Sequence, residues 1–329
     1  MRAAVYGAGA LGTVLGAALT HSGADVELVS RDQEHVDALN RSGARITGLR
    51  EWTVPVKACT PQQMSGRYDV ILLLTKQMAN TAELPRLAEH LAPDGIVCAL
   101  QNGIPEPELA AALGADRVAG GVVTWNAVRI GAGQARLSPP ESSLHFKIGS
   151  LPGTDPRRLD PVKALLERFC PAEPVEDLLG LRWSKLLINA ALSCPASILG
   201  GKCGAVLEDA RWRRIALYLL RECIAVGHAA GVKFEPVQGY DYPAELVKSK
   251  FMKLNSEHIR FVLDCMQENT TKIRNIKQYL KAVLFNAPST IDSYYTSLVA
   301  HDMASGALAP RKPKYGDLDY YTYNEGESL

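Results

Sequence analysis

The sequence lacks several features that mark common classes of protein. Its seven cysteines are scattered, and neither a C-x-x-C pair nor a cysteine–histidine cluster occurs. This favours reduced, mostly buried thiols over disulfides, and no metal site is expected. The formal net charge is only +1, so we expect no electrostatic attraction to nucleic acid or to an anionic membrane surface. No apolar run is long enough to span a bilayer.

The N-terminus also lacks the pattern of a cleavable signal, since it begins directly with a strand-like segment. We therefore expect a cytoplasmic protein. With 329 residues, the chain is long enough to form two hydrophobic cores of ordinary size.

What is present is a glycine-rich turn directly after a short apolar segment near the N-terminus. The turn reads G-x-G-x-x-G and opens an apolar helical pattern. In this position the first glycine permits a tight turn, the second lets the backbone approach a pyrophosphate, and the third allows close helix packing. The sequence therefore predicts a dinucleotide-binding loop. The residues assigned to the cofactor here are Gly7, Gly9, Ala10, Leu11 and Gly12.

Strand and helix patterns alternate through the first half of the chain. The predicted strands after the first are 25–30, 69–75, 96–100, 118–127 and 144–149, and the predicted helices are 35–42 and 84–91. Near-continuous apolar strands are typical of a parallel sheet that is covered on both faces. We therefore predict an α/β fold with a Rossmann-like doubly wound sheet, whose ligand crevice lies at the carboxyl ends of the strands.

The second half has a different character. A proline-containing linker is predicted at 170–174, and from about residue 181 helical patterns dominate. The predicted helices are 181–194, 206–230, fragments of 242–284, and 291–304. We predict a dinucleotide-binding domain over 1–178 and an all-helical substrate and dimerisation domain over 179–329.

The end of the second strand indicates which cofactor is bound. At this position an acid accepts a hydrogen bond from the ribose of NAD, whereas an arginine accommodates the 2′-phosphate of NADP. Arg31 offers a cationic fork there, and Ser30 adds a hydroxyl. Asp32 follows directly and would contact the ribose in a shifted register. We predict NADPH, bound with the help of Ser30 and Arg31.

Three polar clusters are predicted near the crevice. Lys76 and Asn102 each follow a buried strand of the predicted sheet. The third cluster comprises Lys185, Asn189 and Ser193, which are spaced i, i+4 and i+8 and therefore share one helix face.

Together these residues and the block S-K-L-L-I-N-A-A-L from Ser184 resemble the ketopantoate reductase (2-dehydropantoate 2-reductase) family. The resemblance covers about residues 1–235. It implies NADPH-dependent reduction of a small 2-oxo acid, with ketopantoate to pantoate as the default reaction. It also implies that Lys185 is the general acid and that Asn189 and Asn102 orient the substrate and the nicotinamide. Lys76 would line the cofactor site.

The chemistry of a ketone reduction independently favours a lysine at this place. Hydride transfer to a carbonyl builds negative charge on its oxygen, and a positioned ammonium both stabilises that charge and supplies a proton. A lysine is protonated at neutral pH unless burial lowers its pKa strongly.

The chain departs from the family pattern at three substrate-binding candidates. Ser193 stands where the family commonly has a second asparagine. Ser297 corresponds to a serine that holds the substrate carboxylate, although its spacing to the following aspartate differs by one residue. Asp317 replaces a glutamate that supports the lysine. These departures leave two alternatives open: reduction of another 2-keto acid or an imine, or a non-catalytic NADP(H)-binding regulatory protein. The tyrosine-rich tail from Tyr315 would suit the interface of a homodimer.

Overall fold

The computed structural model describes residues 1–138, 140–237, 240–243, 247, 250–268 and 279–291. The strands are β1 (Arg2–Tyr6), β2 (Asp25–Val29), β3 (Ala44–Gly48), β4 (Trp52–Val54), β5 (Lys57–Cys59), β6 (Tyr68–Leu73), β7 (Leu91–Ala99), β8 (Val118–Val123), β9 (Ala127–Gly131), β10 (Gln134–Leu137), β11 (Phe146–Ser150), β12 (Ala172–Pro174), β13 (Phe234–Val237) and β14 (Tyr240–Pro243). The α-helices are α1 (Ala10–His21), α2 (Gln33–Ser42), α3 (Asn80–His90), α4 (Glu106–Leu113), α5 (Asp160–Leu166), α6 (Leu178–Ile188), α7 (Cys194–Ile198), α8 (Cys203–Glu208), α9 (Ala210–Ala229) and α10 (Ser256–Glu268). Residues 279–291 are also helical.

Eight strands form the main sheet, in the order β12-β11-β8-β7-β6-β1-β2-β5. The strands from β8 to β5 pair in parallel, and β11 joins β8 in the antiparallel sense. This confirms the predicted doubly wound sheet. The chain order reverses beside β1, where the crevice of such a sheet opens.

The main sheet is buried on both faces, as its apolar strands predict. Within β1, Ala3 and Val5 belong to one core cluster, whereas Ala4 and Tyr6 belong to another. The first cluster also holds apolar residues of α1 and α5, and the second holds residues of α3 and α4. This two-sided packing fixes the sheet that carries the candidate site.

A second sheet was not predicted. It has the order β4-β3-β10-β9 and packs on α1 through residues of the first core cluster. The predicted strand 118–127 is wrong at its end, because β8 stops at Val123 and the chain turns toward this second sheet. Trp125 is 2% exposed at that turn and packs edge-on against Phe146 and Phe169.

Three further expectations need correction. The predicted linker at 170–174 contains β12, which pairs in parallel with β11 as an edge strand, a place where proline is tolerated. Phe234–Val237 and Tyr240–Pro243 pair as the antiparallel hairpin β13–β14, so the start of the region 242–284, for which helical fragments were predicted, is a strand instead. The predicted helix 206–230 is interrupted at Asp209, which caps α9 by accepting from the amides of Arg211 and Trp212.

The chain divides into two compact units, Met1–Ser249 and Lys250–Leu329. In the second unit, residues 256–268 and 279–291 are helical, and Phe261, Val262 and Ala287 are buried together. The boundary at 178/179 stays a prediction. All seven cysteines are free, but only Cys59, Cys98 and Cys170 are buried. No helix in the described part is long and apolar enough to cross a membrane.

Candidate functional site

The glycine turn between β1 and α1 is closely packed at its two ends. Gly7 has φ +109°, and a Cβ atom there would lie 2.6 Å from the amide nitrogen of Thr75. A Cβ atom on Gly12 would lie 2.3 Å from the carbonyl oxygen of Gly7. The amides of Gly7 and Ala8 also donate to the carbonyl of Val29 at the end of β2. Only glycine fits the first and third positions of this turn.

The middle of the turn is open instead. Gly9 is the N-cap of α1, no side chain caps this helix, and its first turn contains no acidic residue. A Cβ atom on Gly9 would meet nothing within 4 Å. The first amides of α1, from Ala10 and Leu11 onward, therefore lack an intrahelical partner and have space in front of them. This arrangement fits the diphosphate of a dinucleotide.

The residues after β2 have distinct partners. Arg31 is exposed, and the hydroxyl of Ser30 accepts from the amide of Asp32 at 3.3 Å. One oxygen of Asp32 accepts from the amide of His35 at 3.1 Å and so caps α2. Its other oxygen accepts from Nη2 of Arg129, 2.6 Å away. The Arg129 hydrogen bond and the cap hold the pKa of Asp32 below its usual value. The Asp32 carboxylate is thus engaged within the protein.

The carboxyl ends of β6 and β7 meet as predicted. Gln101 donates to the hydroxyl of Thr75 at 2.9 Å and to Oδ1 of Asn80 at 2.8 Å, while Asn80 donates back at 3.3 Å. This amide pair is buried and joins the segments that follow the two strands. Lys76 and Asn102 come directly after the joined residues and are exposed.

Helix α6 and the helical segment that follows it bring their polar residues to the same edge of the sheet. Nδ2 of Asn189 lies 3.5 Å from Oδ1 of Asn102, and the hydroxyl of Ser193 lies 3.4 Å from Oδ1 of Asn189. Lys185 lies one turn before Asn189 on the same helix. The structure thus unites Asn102, Asn189 and Ser193 in one chain of polar contacts.

The helix is not a regular α-helix through this region. Residues Asn189–Ser193 form a π-helical segment, in which the amide of Cys194 donates to the carbonyl of Asn189. Pro195 explains the widening, because it has no N–H for the carbonyl of Ala191 and its ring would clash with that carbonyl in an α-helix. Such segments occur often at functional sites. The i, i+4, i+8 pattern did not predict it, although Pro195 was a signal.

Lys185 is half-buried. Its burial lowers the pKa of the ammonium group below the usual lysine value. Among the described residues, no hydrogen bond or ion pair of Lys185 is present. A desolvated, unpaired cation next to an amide chain is suited to interact with an anionic or polar substrate oxygen.

Arg182 was missed at the sequence level. It is 2% exposed, and it donates to the carbonyls of Gln101 at 2.6 Å and Ala99 at 2.7 Å. Its guanidinium also forms an ion pair with Glu106, which is equally buried. This contact fastens α6 to the end of β7 one turn before Lys185. The only sequence signal was an arginine inside an otherwise apolar helix start.

Ser297 and Asp317, the remaining substrate-binding candidates, lie outside the described residues. The tyrosine-rich tail lies there as well. Within the described ranges, no group of three or more His, Cys, Asp or Glu side chains is placed to hold a metal ion.

Comparison with family models gives two matches. Residues 3–153 match the family described as ketopantoate reductase PanE/ApbA. Residues 219–306 match a family of unknown function, DUF6017. The first match covers the dinucleotide-binding half, and the second begins within α9.

Individual relatives extend the likeness over most of the chain. A 2-dehydropantoate 2-reductase of Pyrococcus horikoshii is 28% identical over 293 residues, which is 88% of this chain and 93% of that protein. The structure of 2-dehydropantoate 2-reductase from Geobacter metallireducens superposes with a TM-score of 0.65 and 27% identity, covering 73% of this chain and 79% of that one. A D-mandelate dehydrogenase solved with NADH and anilino(oxo)acetate has the same TM-score, 0.65, over 70% of this chain and 75% of that one. At 20% identity it shows a shared fold alone.

Proposed function

We propose that this chain, whose residues 3–153 match the ketopantoate reductase PanE/ApbA family, reduces a small 2-oxo acid to the 2-hydroxy acid with NADPH. The observation that carries the proposal is the placement of desolvated Lys185 one helical turn from Asn189, which contacts Asn102 at the edge of a dinucleotide-binding sheet. A cation and two amides at this edge are the groups that a carbonyl substrate needs beside a nicotinamide.

NADPH is proposed as the reduced cofactor rather than NADH. Arg31 is exposed at the end of β2, where a 2′-phosphate would lie, and Ser30 offers a hydroxyl beside it. Asp32, which would accept a hydrogen bond from the ribose of NAD, already accepts hydrogen bonds from Arg129 and from the amide of His35 at the start of α2. The uncapped start of α1 would hold the diphosphate. Lys76, which is exposed after β6, would add positive charge to the same crevice.

The reaction then follows from the protein's own groups. When bound, the reduced nicotinamide supplies the hydride that reaches the carbonyl carbon of the substrate. Lys185 donates a proton to the carbonyl oxygen as negative charge develops there. Asn102 and Asn189 orient the substrate by amide hydrogen bonds, and Ser193 restrains Asn189 through its side-chain oxygen. Fixed donors of this kind lower the barrier because they need no reorganisation during the reaction.

We expect the purified protein to oxidise NADPH when ketopantoate is added, because its relatives bear the name 2-dehydropantoate 2-reductase. The measurement compares kcat/KM for ketopantoate with a panel of other 2-oxo acids by the loss of NADPH absorbance. Ser193, in place of a second asparagine, is the reason to include other 2-oxo acids as the second candidate substrates. Tight NADPH binding without turnover on any member would contradict an enzyme and favour a regulatory role.

Arg31→Ala should reduce the preference for NADPH over NADH by about 10- to 100-fold. Loss of a charge-assisted hydrogen bond to a phosphate is worth about 1.5–3 kcal/mol, which corresponds to this range. The measurement is the ratio of kcat/KM values for the two cofactors. Arg41→Ala removes another exposed arginine, from the last turn of α2, and should leave the ratio unchanged. A variant that retained the wild-type ratio would contradict the assignment of Arg31.

Assembly into a homodimer and a cytoplasmic location stay predictions. Size-exclusion chromatography with light scattering tests the first of them directly.

A further inference from the structure

Arg129 reaches the cofactor side of the main sheet from a distant part of the sequence. It lies on β9, the edge strand of the second sheet, and its Nη2 atom is 2.6 Å from Oδ2 of Asp32. The two residues are 97 positions apart in the chain. Arg129 and Asp32 are 37% and 40% exposed, so this ion pair borders solvent at the end of β2. It therefore lies where the adenosine ribose of a dinucleotide is read.

The β9–β10 hairpin, which carries Arg129, is held in place by buried hydrogen bonds. The amide of Gly133, at the turn between β9 and β10, donates to Nδ1 of His35 at 2.9 Å. Nε2 of His35 lies 3.0 Å from the hydroxyl of Thr13 in the first turns of α1. His35 and Thr13 are fully buried. The second sheet is thus fastened to both helices that border the dinucleotide crevice, and the position of Arg129 follows from that attachment.

The ion pair between Arg129 and Asp32 changes which group on the adenosine ribose the end of β2 can recognise. A free aspartate at this place would accept from the 2′-hydroxyl of NAD and repel a 2′-phosphate, which carries close to two negative charges. Asp32 instead uses one oxygen to cap α2 and the other to bind Arg129. Its charge is therefore offset while Arg31 stays exposed next to it.

We propose that Arg129 is a specificity-determining residue of the cofactor site, which offsets the charge of Asp32 and so allows Arg31 and Ser30 to bind a 2′-phosphate. This inference rests on the proposed function, because it concerns the same dinucleotide. Arg129 acts through Asp32 and is a positioning residue with respect to the chemistry. Because Arg129 lies on β9, the second sheet contributes to the selectivity for the cofactor.

The test measures binding in the absence of turnover. Dissociation constants of NADP⁺, NAD⁺ and 2′,5′-ADP are determined by titration calorimetry for the wild type, Arg129→Ala, Asp32→Asn and the double variant. Arg129→Ala should weaken NADP⁺ and 2′,5′-ADP by about tenfold, as expected when a partly exposed negative charge is uncovered near a phosphate, and leave NAD⁺ unchanged or tighter.

The double variant is the decisive arm of the experiment. Asparagine still caps a helix but has no charge, so adding Asp32→Asn to Arg129→Ala should restore NADP⁺ binding to near the wild-type value. Arg136→Ala removes an exposed arginine from the neighbouring strand β10 and should change none of the three dissociation constants.

Each outcome has a distinct consequence. An unchanged ratio of the NADP⁺ and NAD⁺ constants in Arg129→Ala overturns the inference while the proposed function stands. Failure of Asp32→Asn to rescue the double variant also overturns it, since Arg129 would then act on the phosphate directly. If the wild type binds neither dinucleotide, the proposed function itself fails. If the wild type prefers NAD⁺, both the choice of NADPH and the role of Arg129 are wrong.

Discussion

Replacing Lys185 with methionine is expected to lower kcat for 2-oxo acid reduction by about 10²–10⁴-fold, the usual contribution of a positioned general acid. Methionine keeps an unbranched apolar stem in the half-buried position but cannot donate a proton or stabilise charge on the carbonyl oxygen. Because Lys185 is proposed to act on the reacting carbonyl, binding of NADPH should change little. The measurements are steady-state kinetics with the best 2-oxo acid and a separate titration with NADPH.

A matched control separates this effect from a general loss of charge in the helical region. Lys202 is exposed before α8, and Lys202→Met should retain wild-type turnover. Wild-type turnover in Lys185→Met would remove the general-acid assignment. Loss of NADPH binding in the same variant would instead indicate that the helix has moved.

The pH profile gives a second view of the same residue. Burial lowers the pKa of Lys185, and a general acid must be protonated to act, so kcat should fall as the pH rises through that lowered pKa. The decline should therefore begin at a lower pH than an exposed lysine would give. It should be absent from the residual activity of Lys185→Met. A wild-type profile that stays flat into the range of an ordinary lysine would contradict a desolvated catalytic group.

The elements that were predicted correctly are those with a strong local pattern. The apolar runs of β1, β6 and β7 are buried on both faces, and only glycine fits the first and third positions of the glycine turn. The second sheet escaped prediction because its strands have three to five residues and because β9 is mostly exposed, which leaves little apolar periodicity to read. Hairpin β13–β14 was missed for a similar reason, since each strand has only four residues.

In the candidate site, too, the features that follow from local sequence patterns were predicted and the long-range contacts were not. The meeting of the segments after β6 and β7 follows from parallel pairing, and the contact of Asn189 with Ser193 follows from helical spacing. By contrast, nothing local indicates that Arg182 bonds to residues about 80 positions earlier in the chain. Long-range polar pairs of this kind depend on the tertiary fold, which a single sequence does not show.

Arg182→Met should destabilise the protein by about 3–5 kcal/mol, the usual cost of leaving one partner of a buried ion pair alone. Arg182 and Glu106 are both 2% exposed, and the substitution also removes the donors to the carbonyls of Ala99 and Gln101. For a unit of this size the melting temperature should fall by about 6–20 °C. Thermal unfolding followed by circular dichroism and urea denaturation measure the change.

The surroundings of Glu106 explain why the loss should be large. A Cβ atom on Gly120 of β8 would lie 2.0 Å from Oε1 of Glu106, so this carboxylate is enclosed between the sheet and α6 with no room for solvent. Removing the second charge as well should therefore recover stability. Glu106→Leu combined with Arg182→Met is expected to cost less than Arg182→Met alone, a coupling that a double-mutant cycle reports directly.

The Arg182→Met variant and its combination with Glu106→Leu also test whether Arg182 positions the catalytic groups of the candidate site. Because Arg182 fastens α6 to the end of β7 one turn before Lys185, the double variant can be well folded and still have a lower kcat for 2-oxo acid reduction. We expect a loss of at least about tenfold, since small displacements of catalytic groups cost up to about 10²-fold. Full stability with full turnover in Arg182→Met would contradict the fastening role. Restored stability with reduced kcat in the double variant would assign Arg182 to the positioning of Lys185 and Asn189.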